Sequence, residues 1–144
     1  MLIAYTDGST WKTNPGPMAW SVVYVANNEV VKEMSGALYS GTNNRAELIA
    51  VTWAISLEKT VDLVVRTDST LVLNIATGLW QPKTNVDLWE RFYDSMNWRE
   101  KRGLATQFQH VKGHGSDPFN RRADWLAREA AKRAAECVPY GEAS

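Results

Sequence analysis

The spacing of apolar residues changes along this chain in a way that separates strands from helices. Leu2-Ile3-Ala4-Tyr5-Thr6 reads as a short strand, with Asp7 at its end and Gly8, Asn14, Pro15, Gly16 and Pro17 punctuating the loop beyond. Ala19 to Tyr24 and Val30 to Leu38 are rich in aliphatic and aromatic side chains on either side of Asn27-Asn28-Glu29, which predicts an antiparallel hairpin. The first three strands therefore form a meander. Thr42, Asn43 and Asn44 are capping residues placed just before a run in which Ala46, Ile49, Ala50, Trp53, Ala54 and Leu57 recur at helical spacing. Leu48, Val51 and Ile55 are apolar as well, so this helix is expected to be largely enclosed, with Glu47 in its first turn, where the helix dipole favours negative charge.

Val61 to Thr67 predicts a fourth strand ending in Asp68, and Thr70 to Thr77 a short helix closed by Gly78. Asn85 is expected to cap a further helix with Val86, Trp89, Tyr93 and Met96 on one face. Leu104 to Val111 alternates as a fifth strand, placing His110 in a structural position. Asp117-Pro118 opens a long final helix whose apolar stripe is Phe119, Ala123, Leu126, Ala127, Ala130 and Ala134, with Asp124 about two turns in. This order predicts an α/β domain built on one five-stranded mixed sheet, its three antiparallel strands first, flanked by helices. Residues 1–137 are expected to form a single domain, with 138–144 a flexible tail after Pro139 and Gly141. Ligand sites in such sheets favour the carboxyl ends of strands, the kind of position given to Asp7 and Asp68.

Composition narrows the function classes. The chain has 144 residues, 44% hydrophobic and 22% charged, as in an ordinary soluble domain. No apolar run approaches the roughly 20 residues of a membrane helix, and Met1 to Tyr5 leads straight into Asp7 without a signal-like core, so a cytoplasmic monomer is expected. Cys137 is the only cysteine, which excludes an internal disulfide and a thiolate metal cluster. Net charge is zero, but it is unevenly placed. Residues 101–144 carry eight basic and five acidic side chains, against three and four in residues 1–50. The last third is the basic third, and Arg121, Arg122, Arg128, Lys132 and Arg133 lie in it.

Asp7, Glu47, Asp68 and Asp124 are the candidate chemistry. Two carboxylates about 4 Å apart repel by roughly 4 kcal/mol at an effective dielectric of about 20, so a cluster of them calls for cations. Oxygen donors with no cysteine and little histidine point to Mg²⁺ or Mn²⁺, and two such ions suit phosphodiester cleavage. Taken singly, each acid has a duller role as a cap or a solvated turn residue. Their surroundings change that. Thr6-Asp7-Gly8-Ser9, Thr42-Asn43-Asn44-Arg45-Ala46-Glu47-Leu48, Arg66-Thr67-Asp68-Ser69, Val111-Lys112-Gly113-His114 and Arg122-Ala123-Asp124, in this order, closely resemble type 1 ribonuclease H.

The resemblance runs from about Ile3 to Ala131 and implies the ribonuclease H fold and cleavage of RNA paired to DNA, leaving 5′-phosphate and 3′-hydroxyl ends. By match to the motifs, Asp7 would bridge two Mg²⁺ ions, replaceable by Mn²⁺, with Glu47, Asp68 and Asp124 completing the shell. His114 would assist proton transfer or product release. Gly8, Ser9, Asn14, Thr42, Asn43, Asn44 and Asn120 match positions that meet the RNA·DNA hybrid. Trp20, Trp53 and Trp89 belong to faces expected to be buried, whereas Trp11, Trp80 and Trp125 are left as candidate substrate contacts.

The chain also departs from the family. Many bacterial members carry an extra helix and a lysine-rich loop that holds the hybrid, where this chain has only Gly78 to Asn85 with Lys83 as its sole charge. The loop from Asp7 to Asn14 is one residue longer than the common pattern, and Thr70 stands where a glutamine often contacts bases. Salt-sensitive substrate binding is therefore expected unless the basic final helix or a partner supplies phosphate contacts. The readings left open are another nuclease or strand-transfer enzyme of the same fold, and a non-catalytic nucleic-acid-binding module.

Overall fold

A computed structural model describes residues 1–137, the side chain of Tyr39 apart. The first three strands are β1 (Leu2–Thr10), β2 (Gly16–Ala26) and β3 (Glu29–Gly41). Between β2 and β3, Asn27 and Asn28 both take positive φ, 52° and 62°, the left-handed pair that lets a two-residue turn follow the twist of its strands. Helix α1 (Asn43–Leu57) leads to β4 (Leu63–Thr67), α2 (Thr70–Ala76), α3 (Val86–Lys101), β5 (Thr106–His110) and α4 (Pro118–Glu136). The five strands form one sheet in the order β3-β2-β1-β4-β5, antiparallel across β3-β2-β1 and parallel across β1-β4-β5. Residues 138–144, expected to be a tail, lie outside the described residues.

The two faces of the sheet are filled differently. Alternate β1 residues point to opposite sides, so Ala4 joins Val22, Leu48, Val51, Ile55, Val65 and Phe92 in the larger core beneath α1, α2 and α3. Tyr5 joins Val23, Val25 and Ala123 in a smaller core under α4. The α4 face is closely approached because Ala123, Ala127, Ala131 and Ala134 are the buried residues of its stripe. Ala131, rather than the expected Ala130, continues that stripe.

Several other expectations are corrected. The expected strand end at Asp7 lies inside β1, which runs on to Thr10 against β2 with Asp7 opposite Ser21, although parallel pairing to β4 stops at Thr6. Helix α1 begins at Asn43, which puts Glu47 in the second turn, with no acid in the first. Asn85 is the N-cap residue of α3, in the left-handed region (φ 54°), and its carbonyl accepts from Leu88 N and Trp89 N, but its side chain makes no cap bond; its Oδ1 accepts from Arg45 Nη1 instead. The buried face of α3 is Leu88, Trp89, Phe92 and Arg99, while Val86 and Tyr93 are exposed. Trp53 is 43% exposed and stacks at 5.2 Å between centroids on Trp20, which is itself only partly buried and packs against Gly36.

Arg99 is fully buried and has a partner for each nitrogen. Its guanidinium donates to the carbonyls of Glu58, Val61 and Ala105 and to Thr106 Oγ1, tying α3 to the entry of β4 and the start of β5. A charged residue at an apolar-periodic position rotates the helix face away from the one that hydropathy alone selects. No described helix is long and apolar enough to cross a membrane.

Candidate active site

Parallel pairing of β1 with β4 ends at Thr6 opposite Thr67, so Asp7 and Asp68 follow at the same level of the sheet. Glu47 reaches them from α1 because of Gly8. A Cβ at Gly8 would overlap the backbone of Ala46 and Glu47, and only glycine lets the helix backbone rest directly on the strand. Carboxylate oxygens of Asp7, Glu47 and Asp68 all lie within 4.8 Å of one another. Asp124 lines the same cleft but stands outside that trio, its carboxylate 2.9 Å from the guanidinium of Arg128, one turn along α4. Its place is set by Ser21 opposite Asp7, whose Oγ donates at 2.6 Å to the carbonyl of Ala123.

The electrostatics are those of acids held together out of water. Burial raises the Asp7 carboxyl to about 7, and Asp68 and Asp124 nearby push the same way. Burial also raises Glu47 well above the usual carboxylate range, with Asp7 adding to it, and raises Asp68. Among the described residues, Glu47 Oε2 and Asn120 Oδ1 are the buried side-chain atoms with no hydrogen-bond partner. A buried acceptor left open costs about 1–3 kcal/mol, more when charged, so Oε2 marks a place built for something else to occupy. An oxygen-only set of close, mutually repelling carboxylates with an open buried acceptor fits hard divalent cations.

The cleft, of about 410 Å³, is lined by Asn43, Asn44, Thr70 and His114 besides the four acids. Asn43 and Asn44 thus stand at the rim. Asn14 and Thr42 work behind it: Asn14 Oδ1 accepts from Asn43 N at 3.1 Å, and Thr42 caps α1 by accepting from Arg45 N at 3.1 Å. Gly8 lines the cleft, while Ser9 Oγ turns to the carbonyl of Thr10. Beside the cleft, Asn44 also borders a hollow with Leu71, Trp80 and Lys83, in which the 49%-exposed Trp80 is nearest to the use expected of it.

His114 rides on a short exposed loop at positive φ, 56°. The loop is pinned at both ends. Val111 N donates to Thr67 O, and Asn120, buried under the loop, donates through Nδ2 to Lys112 O. At the far end, Asp117 caps α4 and accepts from Tyr5, whose hydroxyl in turn accepts from Arg66. Gly113 crosses directly over Asp68, where a Cβ would sit 3.0 Å from Oδ2. Asp117, Tyr5, Arg66 and Gly113 were not singled out as site residues from the sequence. Asp117 gave a signal as the residue before the proline that opens α4, and Arg66 and Gly113 stand inside the motifs around Asp68 and His114, whereas Tyr5 gave none.

Comparison with known proteins agrees with this geometry. Residues 1–132 match the family model described as RNase H. The chain belongs to the RNase H family. A ribonuclease H from Dinoroseobacter shibae is 40% identical over 89% of each chain, and one from Ruegeria pomeroyi 38% identical over 91% of this chain and 92% of that one. Among solved structures, RNase H1 of Halobacterium salinarum superposes with a TM-score of 0.75 at 31% identity, covering 92% of this chain and 98% of that one. LC11-RNase H1, solved in complex with an RNA/DNA hybrid, superposes with a TM-score of 0.78 at 28% identity over 94% and 99%. The RNase H fold expected from the motifs is therefore the fold observed, a mixed sheet flanked by four helices.

Proposed function

We propose that this chain is a divalent-cation-dependent endoribonuclease that hydrolyses the RNA strand of RNA·DNA hybrids, leaving 5′-phosphate and 3′-hydroxyl ends. The observation that carries this reading is the close trio of Asp7, Glu47 and Asp68, with the buried Oε2 of Glu47 open, set in a cleft rimmed by asparagines. The hybrid held by the LC11 enzyme supports the choice of substrate. Asp7, Glu47, Asp68 and Asp124 would hold two Mg²⁺ ions, or Mn²⁺ in their place. When bound, such ions activate water for attack on phosphorus and stabilise the leaving oxygen.

The remaining roles belong to the chain itself. Glu47 would also accept from a ribose 2′-hydroxyl, the group that tells RNA from DNA. Asn43 and Asn44 meet the hybrid at the rim, with Asn14 and Thr42 fixing the turn that presents them, Gly8 lining the cleft beneath and Ser9 following it. His114, exposed above Asp68, moves a proton to or from the departing strand. Asn120 serves the substrate by holding the His114 loop from below.

One assay tests the reading: labelled RNA·DNA hybrid, RNA duplex and DNA duplex, each incubated with Mg²⁺ or with EDTA. Cleavage of the hybrid alone, dependent on Mg²⁺ and yielding 5′-phosphates, is expected. Preference for the DNA duplex overturns it.

A further inference from the structure

A hybrid nuclease must hold a polyanion against a cleft that is itself acidic, and this chain has no net positive charge with which to do so. The structure shows where its cations are committed. Among the described residues, Arg45 is fixed by Asp87 and Arg122 by Glu33, each through two nitrogens. Arg99 is buried against carbonyls, Arg66 is engaged with Tyr5 and Gln109, and Arg102 lies 3.7 Å over the Trp98 ring. Of the final helix's basic residues, Arg122 is thus spent on β3.

The rest of α4 divides by angle. At about 100° per residue, Arg121, Arg128 and Lys132 lie roughly 40–80° around the helix from Asp124, whereas Arg122 and Arg133 lie roughly 100° further on. Asp124 lines the cleft, so the first group flanks the site and the second does not. Arg121, Arg128 and Lys132 are all exposed, and Arg128 already reaches the cleft's edge at its 2.9 Å pairing with Asp124. From Arg121 to Lys132 the helix rises about 16 Å, the length of about five base steps at about 3.4 Å each.

We infer that this flank of α4 is the track that grips the hybrid's phosphate backbone, with Arg121 and Lys132 contacting phosphates and Arg128 joining them when Asp124 turns to a cation. The inference rests on the hybrid-nuclease reading above and replaces the missing lysine-rich loop with a helix face.

The test is fluorescence anisotropy of a labelled RNA·DNA hybrid over a series of KCl concentrations, in EDTA and in Ca²⁺, with a gel check that the RNA strand stays intact. R121E/K132E is compared with wild type and with K32E/K101E, which changes net charge equally on β3 and the last turn of α3. The slope of log affinity against log salt should flatten by roughly 1.4–1.8 in R121E/K132E, about 0.7–0.9 per phosphate contact, and stay unchanged in the control pair. R128Q should flatten the slope in Ca²⁺ and leave it unchanged in EDTA. Equal slopes for the two double variants overturn the track, and any other pattern for R128Q overturns its conditional part. A wild-type chain that binds no hybrid, or binds DNA duplex in preference, instead defeats the hybrid reading on which the inference stands.

Discussion

Two buried charged groups in this molecule are treated in opposite ways. Arg99 lies under α3 with its guanidinium satisfied by three backbone carbonyls and a threonine hydroxyl. Asp7, Glu47 and Asp68 lie at the end of the β1-β4 pair with their charges opposed and one acceptor left open. Burying a charge is tolerable when every polar atom finds a partner and expensive when it does not. The first arrangement closes a joint between elements. The second leaves like charges and an open acceptor unrelieved, the state that the proposed cations would complete.

The strongest way to break this comparison is Glu47→Gln. Hybrid cleavage should fall by roughly a thousandfold or more, in line with losses at catalytic side chains, while the cation-free protein becomes more heat-stable because one acid leaves the cluster. Activity measured beside thermal unfolding checks both halves, and a variant that loses stability would show Glu47 to be structural.

Next in size is the pH dependence of the cation-free protein. A carboxyl raised in the folded state binds its proton more tightly there, so it favours folding at low pH, and that advantage disappears as pH climbs from about 4 to about 7. Asp7, Glu47 and Asp68 are raised together, so the loss belongs to the cluster as a whole. Melting curves in EDTA should therefore show a lower Tm at pH 8 than at pH 5.5, and millimolar Mg²⁺ should recover most of the loss at pH 8. A Tm at pH 8 that Mg²⁺ does not raise would count against the cluster as a cation site.

Arg99→Met supplies the mirror case. Removing the guanidinium leaves buried carbonyls without donors, so the fold should lose roughly 3 kcal/mol in urea unfolding, whereas turnover per folded molecule stays at the wild-type level. A large fall in turnover without a fall in stability would erase the distinction between the two regions.

The sequence carried much of this, for identifiable reasons. Local rules sufficed where neighbours in sequence decide the outcome, as in the Asn27-Asn28 turn, the Thr42 cap and the Asp117-Pro118 start of α4. They failed where a distant partner decides. The face of α3 is turned by Arg99 reaching carbonyls near β4 and β5, and the Asn85 side chain is drawn from capping by Arg45. At the site, motif order singled out four acids that the fold brings to one cleft, but the separate position of Asp124 depends on three-dimensional packing. Its pairing with Arg128 was nevertheless available as an i,i+4 acid-base spacing on one helix.

The bare backbone contact at Gly8 gives two positions in this chain unlike tolerances. A population of random variants sorted only for folded protein would accept many residues at 47, since its side chain lines the cleft and not the hydrophobic core. The same sort would empty position 8 of everything but glycine, because any side chain there lifts α1 from β1. Sorting for cleavage would purge both. The difference between the two sorts separates the residue proposed to serve the chemistry from the one that keeps it within reach.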